Sequence, residues 1–191
     1  MKTTYTSDDL LAHARLLMGF DHIRSDCGAV QTDGIDVNSL ISDSLRQWHL
    51  NLLDHGDVRF LSPESCTFTA ASSSGKASGT ILKPDENCRR LLSVRLAGWH
   101  HAVGILPASK MEQVIRDQLN PYTAATTSHP VAVVAETGNA VYCWPRAVEY
   151  GNSEVIGICD HGPNIFVLDD SALSTLPAWL EKLKISDYGN F

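Results

Sequence analysis

The sequence predicts an α+β fold in a single domain, with N-terminal helices, a central and C-terminal antiparallel β-rich portion, and a closing C-terminal helix. Three observations predict it. Apolar residues ahead of Gly56 recur at helical spacing, much of the chain beyond it alternates as strands do, and a last helical stripe lies near the C-terminus. The parts divide as 1–57, helical, 58–170, β-rich with one helix near 109–120, and 171–191, helix and tail. At 191 residues, 43% of them hydrophobic, the chain is long enough to bury a core.

Ser7, followed by Asp8 and Asp9, starts the first helix, because acidic groups favour the positive end of a helix dipole. Leu10, Leu11, Ala14, Leu17 and Met18 share one face, and Gly19 closes the segment. Residues 20–35 hold no period and read as a loop. A second helix runs from Asp36 to Gly56, with Val37, Leu40, Ile41, Leu45, Trp48 and Leu52 at spacings of three and four. Val58 to Leu61 predicts a short strand before the Ser62-Pro63 turn, and Cys66, Phe68 and Ala70 alternate with Thr67 and Thr69 as another. Residues 71–79, ASSSGKASG, are too small and polar to pack a core and suit a hairpin tip or flexible loop. They lack phosphate-loop spacing: Gly75-Lys76 is not followed by Ser or Thr, and no glycine stands five residues before Gly75.

The stretch from Ile81 to Pro121 organises the rest. It predicts a turn, then a strand in which Leu92, Val94 and Leu96 alternate with Ser93, Arg95 and Ala97, then a partner strand over WHHAVGIL. Ser109 caps the next helix, with Glu112 completing a capping box and Met111, Val114, Ile115 and Leu119 as its apolar positions. Asn120-Pro121 ends it. Pro130 to Glu136 and Ala140 to Trp144 make a hairpin across Thr137-Gly138-Asn139. Glu154 to Cys159 and Asn164 to Leu168 are two further strands across the turn Asp160-His161-Gly162-Pro163. Ser174 to Ile185 is a helix entered through Pro177, with Trp179, Leu180 and Leu183 as its stripe.

The net charge of −7 and the pI near 5.5 argue against non-specific nucleic-acid binding through a broad basic face. No apolar run approaches the roughly 18–20 residues that span a bilayer, so no membrane partner is expected. MKTTYTSDDL lacks the apolar core of a signal peptide. Five cysteines, Cys27, Cys66, Cys88, Cys143 and Cys159, have wide irregular gaps and no CxxC, so they signal neither a structural zinc site nor a redox pair. They suit free, mostly buried thiols.

The remaining chemistry is sparse. His100 and His101, as neighbours on a strand, point to opposite faces and cannot share a metal. Cys159 and His161 flank Asp160, a pattern open to a nucleophile and its base. Catalysis also needs a hydrogen bond and an orienting third group, and the residues favour a buried strand-end cysteine followed by a turn histidine. His13, His22, His49, His55 and His129 show no ligand spacing. The four tryptophans, Trp48, Trp99, Trp144 and Trp179, lie in separate elements and suit core packing or interface anchors. Arg89, Arg90 and Arg95 form the densest basic group and suit a salt-bridging surface. No catalytic, cofactor-binding or metal-binding residue is predicted.

The run KPDENCRRLLSVRLAGWHHAV is similar to a recurring pattern in virion proteins of short-tailed phages, crAss-like phages in particular. In that pattern an acidic turn leads to an Arg-Leu strand, a tryptophan and a second strand. Asn120-Pro121-Tyr122, Pro130-Val131, the Gly138-Asn139 turn, Tyr142-Cys143-Trp144-Pro145, the late strands and the Leu176-Pro177 helix continue it, so the resemblance spans roughly residues 36–185. The chain departs from it at Lys83-Pro84 for Leu-Pro, at Cys88 for an aromatic, and at His100-His101 for a basic residue and proline. The resemblance implies a head-to-tail adaptor or ring protein of the virion, without enzyme activity, whose fold combines a helical bundle with a β-rich insertion. The implied partners are further copies in a ring of about twelve subunits closed by heterologous contacts, the portal protein, and other neck or tail proteins. DNA would pass transiently, its backbone repelled by an acidic channel wall. Trp99, His100, His101, Arg89, Arg90, Trp144 and Trp179 are the interface candidates, and residues 71–79 and both chain ends, Met1 to Thr6 and Ser186 to Phe191, are segments to order on a neighbour. Two other classes stand beside this one: a small cysteine hydrolase using Cys159 or Cys27, and a non-viral binding module.

Overall fold

The computed structural model of the chain describes residues 2–19, 37–73, 77–147, 149 and 151–182. Along the chain the elements are β1 (Lys2–Thr6), α1 (Ser7–Leu17), α2 (Val37–His55), β2 (Glu64–Ser65), β3 (Phe68–Ser72), β4 (Thr80–Pro84) and β5 (Cys88–Arg95). Then come β6 (Val103–Leu106), α3 (Met111–Gln118), β7 (Val131–Val134), β8 (Val141–Trp144), β9 (Glu154–Cys159), β10 (Ile165–Asp169) and α4 (Leu176–Leu180). The fold is α+β, as the periodicities predict. The expected loop 20–35, the Gly75-Lys76 pair, Cys27 and everything beyond Lys182 lie outside the described residues.

The chain divides into two compact units. Unit 1 joins residues 1–62 to 160–191, and unit 2 is the continuous segment Pro63–Cys159 between them.

In unit 1, α1, α2 and α4 pack on one another. Their buried faces are Leu10 and Ala14 on α1, Ile41, Leu45, Trp48, Leu52 and Leu53 on α2, and Leu176 and Leu180 on α4. The Trp48 indole donates to Thr175 Oγ1 at 3.1 Å and the Trp179 indole to Ser44 Oγ at 3.1 Å, so both tryptophans satisfy their polar edge inside the unit. Three local expectations are corrected here. The first helix is capped by Thr6, not Ser7: the Thr6 side chain accepts from Asp9 N at 3.2 Å, and Asp9 Oδ2 accepts from Thr6 N at 2.9 Å. Lys2–Thr6 is not a tail awaiting a neighbour but a strand, paired antiparallel with β10 from Lys2↔Asp169 to Thr6↔Ile165. Val58–Phe60 is a 3-10 turn rather than a strand, because Asp57 accepts from Arg59 N at 2.9 Å and so folds the backbone back locally.

Unit 2 is one eight-stranded sheet in the order β2-β9-β5-β6-β7-β8-β4-β3, with α3 against β7. Its main core contains Leu82, Val94, Leu96, Trp99, Ala132, Val141, Cys143 and Val155, inward positions of five strands and their flanks. A smaller cluster sets Val114 of α3 on Val133 and Trp144. The hairpin of β7 and β8 forms in the expected place, with Val131 opposite Trp144. Several expectations fail. The sheet is not wholly antiparallel: β6 and β7 run parallel, with Ile105 opposite Ala132, because the α3 connection returns the chain in the same direction. β9 pairs with β2 and β5, while β10 pairs with β1 in unit 1, so the late strands are not partners. Residues 81–84 belong to β4 rather than to a turn, and the turn follows at Asp85, whose carbonyl accepts from Cys88 N at 3.0 Å. β6 starts only at Val103, so Trp99, His100 and His101 stand in a turn entered by Gly98 at φ +87°. Ser109 lies in a 3-10 turn (Ala108–Lys110), and the first turn of α3 has no side-chain cap.

Candidate functional site

Exposed apolar groups in unit 2 concentrate on and just after α3. Val114 faces inward, which leaves Ile115 and Leu119, one turn apart, on the solvent side at 39% and 53% exposure. Tyr122, in the turn that ends the helix, is 96% exposed. Asn120 Oδ1 accepts from Tyr122 N at 3.0 Å and Thr123 Oγ1 donates to Asp117 O at 2.9 Å, so the turn that presents this ring is tied down. Ile115 and Leu119 border a cleft of about 570 Å³ that Met111, Tyr142 and Trp144 also line. A largely apolar cleft along the helix, and an exposed aromatic ring in the turn that follows it, have the chemistry of a protein-binding surface.

The sequence-predicted interface residues are distributed otherwise. Trp99 is buried, with its indole donating to Pro145 O at 3.1 Å, and Trp144 is buried, donating to Ala77 O at 3.1 Å. Both pack the core of unit 2, although Trp144 shows one side to the cleft. Trp179 joins α4 to α2 in unit 1, with Lys182 Nζ 5.4 Å above its ring. His100 and His101 are exposed, but not as the alternating strand residues expected, and Ser128 Oγ lies 3.0 Å from His100 Nδ1. Arg89 is exposed and Arg90 half-buried, and with Lys83, Asp85 and Glu86 they line a second cleft of about 780 Å³ that carries both signs of charge.

What the spacing conceals is a cluster of three thiols. Cys66 Sγ lies 3.2 Å from Cys88 Sγ and 3.5 Å from Cys159 Sγ, and all three sulfurs are within 4.8 Å of one another. The ladders bring them together. Cys88 on β5 is directly opposite Cys159 on β9, and Cys66 N donates to Val155 O at 2.8 Å, extending the β2–β9 pairing by a residue. Gly157 leaves the space: a Cβ there would lie 2.7 Å from Cys66 Sγ and 2.8 Å from Cys88 Sγ. Burial pushes the Cys66 and Cys159 thiols up to about 12 and raises Cys88 as well. The negative charge of the nearby Glu64 carboxylate raises all three further. Cys159 is the last residue of β9 and is half-buried. Separations of 22 and 93 residues between the sulfurs in contact left no local motif to find.

In unit 1, Arg46 on α2 grips Asp160 through both guanidinium nitrogens and donates to Gly162 O at 3.0 Å. Asp160 also accepts from Gly162 N, so although burial opposes ionisation its carboxyl is held below the ordinary range. His49, one turn on from Arg46, is 2% exposed and packs on Phe166 with ring centroids 4.8 Å apart. Burial first, then the Arg46 charge, lower its pKa to about 4. This cluster ties α2 to the start of the chain's return through unit 1. Among the described residues no helix is long and apolar enough to cross a membrane. Neither protein-family models nor curated proteins provide a match to this chain.

Proposed function

We propose that the chain is a virion structural protein of a short-tailed, crAss-like phage, one subunit of a ring that joins portal and tail around the DNA channel. The observation that carries this reading is architectural: a helical unit built from the two ends of the sequence is interrupted by a continuous β-rich unit. That arrangement of helical bundle and β-rich insertion is what the resemblance of residues 36–185 implies. The subunit contact runs through Ile115, Leu119 and Tyr122, an aromatic and aliphatic patch of the kind that anchors interfaces. A ring needs that patch to meet a different surface on the next copy, repeated by rotation. A net charge of −7 keeps the subunit from adhering to the DNA that it surrounds.

Native mass measurement and negative-stain imaging, of the protein alone and with the phage portal protein, test the reading. The expected result is a ring of about twelve subunits, formed alone or on the portal. The paired variant Ile115→Asp/Leu119→Asp, altered only at exposed positions, is expected to keep its circular dichroism spectrum and lose the ring. A wild-type chain that stays monomeric with and without the portal overturns the reading.

A further inference from the structure

The three thiols of unit 2 satisfy the geometric demand of a metal centre. Three sulfurs bound to one zinc ion at about 2.3 Å stand about 3.7 Å apart in a tetrahedron. The observed separations of 3.2 and 3.5 Å fall a few tenths of an ångström short of that value, and the third is no more than 4.8 Å. Reaching it requires side-chain adjustments of about 1 Å or less, which cysteine rotation supplies without a movement of strands. The ligands come from three adjacent positions of one sheet, so their backbones are already fixed by ladder hydrogen bonds. Gly157 opposite them keeps the centre of the cluster clear.

The donor set narrows the metal. Thiolates select soft or borderline ions, and Glu64, opposite Gly157 and two residues before Cys66 on the same face of the strand, can add a hard oxygen. That mixture suits divalent zinc better than monovalent copper, which favours sulfur alone. Cys66 is 5% exposed while Cys88 and Cys159 are half-buried, so an ion can reach the sulfurs from one side.

We propose that Cys66, Cys88 and Cys159 bind one structural zinc ion, with the Glu64 carboxylate as fourth ligand. Loading releases three protons: three neutral thiols and Zn²⁺ give a tris-thiolate complex of charge −1 and three H⁺, and the carboxylate takes the site to −2. The position gives the ion a purpose. Unit 2 begins at Pro63 and ends at Cys159, so Glu64 and Cys66 stand at its entrance and Cys159 is its last residue. One ion therefore clasps both ends of the inserted unit and closes a loop of 93 residues between Cys66 and Cys159. It also anchors β2, a two-residue edge strand that pairs with β9 alone.

The test is cobalt substitution of the full chain, reduced and freed of metal by a chelator. One Co²⁺ per chain is expected, with thiolate-to-cobalt charge-transfer absorption in the near ultraviolet and the strong visible bands of a tetrahedral site, both abolished by one equivalent of Zn²⁺. Cys66→Ser, Cys88→Ser and Cys159→Ser are expected to lose the charge-transfer band or weaken binding at least about tenfold, the loss that even outer-shell partners cost. Glu64→Gln keeps the thiolate band with altered visible bands, and Cys143→Ala leaves both unchanged. Should a serine variant fail to fold, native wild-type protein is alkylated with and without Zn²⁺ and its peptides are mapped: protection of Cys66, Cys88 and Cys159 together supports the site. Folded, reduced wild-type protein without a cobalt band, protection of a different set of thiols, or a Cys66–Cys88 disulfide in protein purified without oxygen overturns it. None of these readouts depends on ring assembly, so the two proposals stand or fall separately.

Discussion

At His49, burial and the Arg46 guanidinium act in the same direction, and the carboxylate of Asp160 only partly opposes them, with His161 adding to the depression. The ring is neutral in the fold down to about pH 4, whereas an unfolded histidine binds its proton near 6.5. The unfolded chain therefore holds the extra proton between those values, and stability rises with pH across the window. The contribution, about 3 kcal/mol, is complete above pH 6.5 and lost as pH falls through 4. Urea unfolding at pH 7, 5 and 4 is expected to show this loss, and His49→Gln is expected to flatten it. Asp160, also depressed, loses its contribution in the same direction at lower pH. Gly157 matters for a different reason, since its role is space. A methyl group would meet two sulfurs at 2.7 and 2.8 Å and the Arg90 carbonyl at 2.8 Å. Gly157→Ala is expected to cost about 1–3 kcal/mol of overpacking, measured by chemical denaturation, and to spread the thiols.

Among the elements, β1 and α1 meet at Thr6, which ends a strand and caps a helix at once. Thr6→Ala removes the cap and its reciprocal bond with Asp9 and is expected to destabilise the protein by about 1 kcal/mol, read from the urea midpoint at unchanged slope. Here the sequence reading missed by a single residue, because Thr6 and Ser7 are equally good caps and only the pairing of Lys2–Thr6 with β10 decides between them. α2 was legible from its periodicity because nineteen residues of amphipathic pattern outweigh any local competitor. The 3-10 turn at Val58–Phe60 was not, since Val58 and Phe60 flanking Arg59 fit either state and the Asp57 side chain tips the balance. The parallel β6–β7 pair did carry a signal: a strand, a helix and a strand in sequence is the pattern of a crossover, and antiparallel pairing across α3 was the wrong default.

For the whole molecule, the division of the sequence into units has a direct consequence. Unit 2 is continuous and has its own core, whereas unit 1 closes only when residues 1–62 meet 160–191. Residues 63–159 expressed alone are expected to give a β-type circular dichroism spectrum and a cooperative thermal transition. A fragment that remains unfolded at neutral pH, with zinc supplied, would show that its core is not self-sufficient. The ring proposal belongs to this scale as well, and of its predicted contact residues the buried tryptophans give way to Ile115, Leu119 and Tyr122. These were visible in the sequence as apolar positions of a helix and a tyrosine after it. That they face outward follows from Val114 taking the inward position against Val133 and Trp144, a long-range choice.

By itself the sequence determined what depends on near neighbours: the helical stripe of α2, the β7–β8 hairpin, the α+β class, and the absence of a cysteine motif, whereas of the five residues expected on the α1 stripe only Leu10 and Ala14 are buried and Leu17 is exposed. Periodicity and turn chemistry act over a few residues, so they can be read along the chain. The tertiary structure alone decided which strands pair, that the chain divides at Ser62 and Asp160, and that Cys66, Cys88 and Cys159 converge. Each of these rests on contacts between residues tens of positions apart. Their formation is governed by the burial that the completed sheet makes possible, and no local spacing records it.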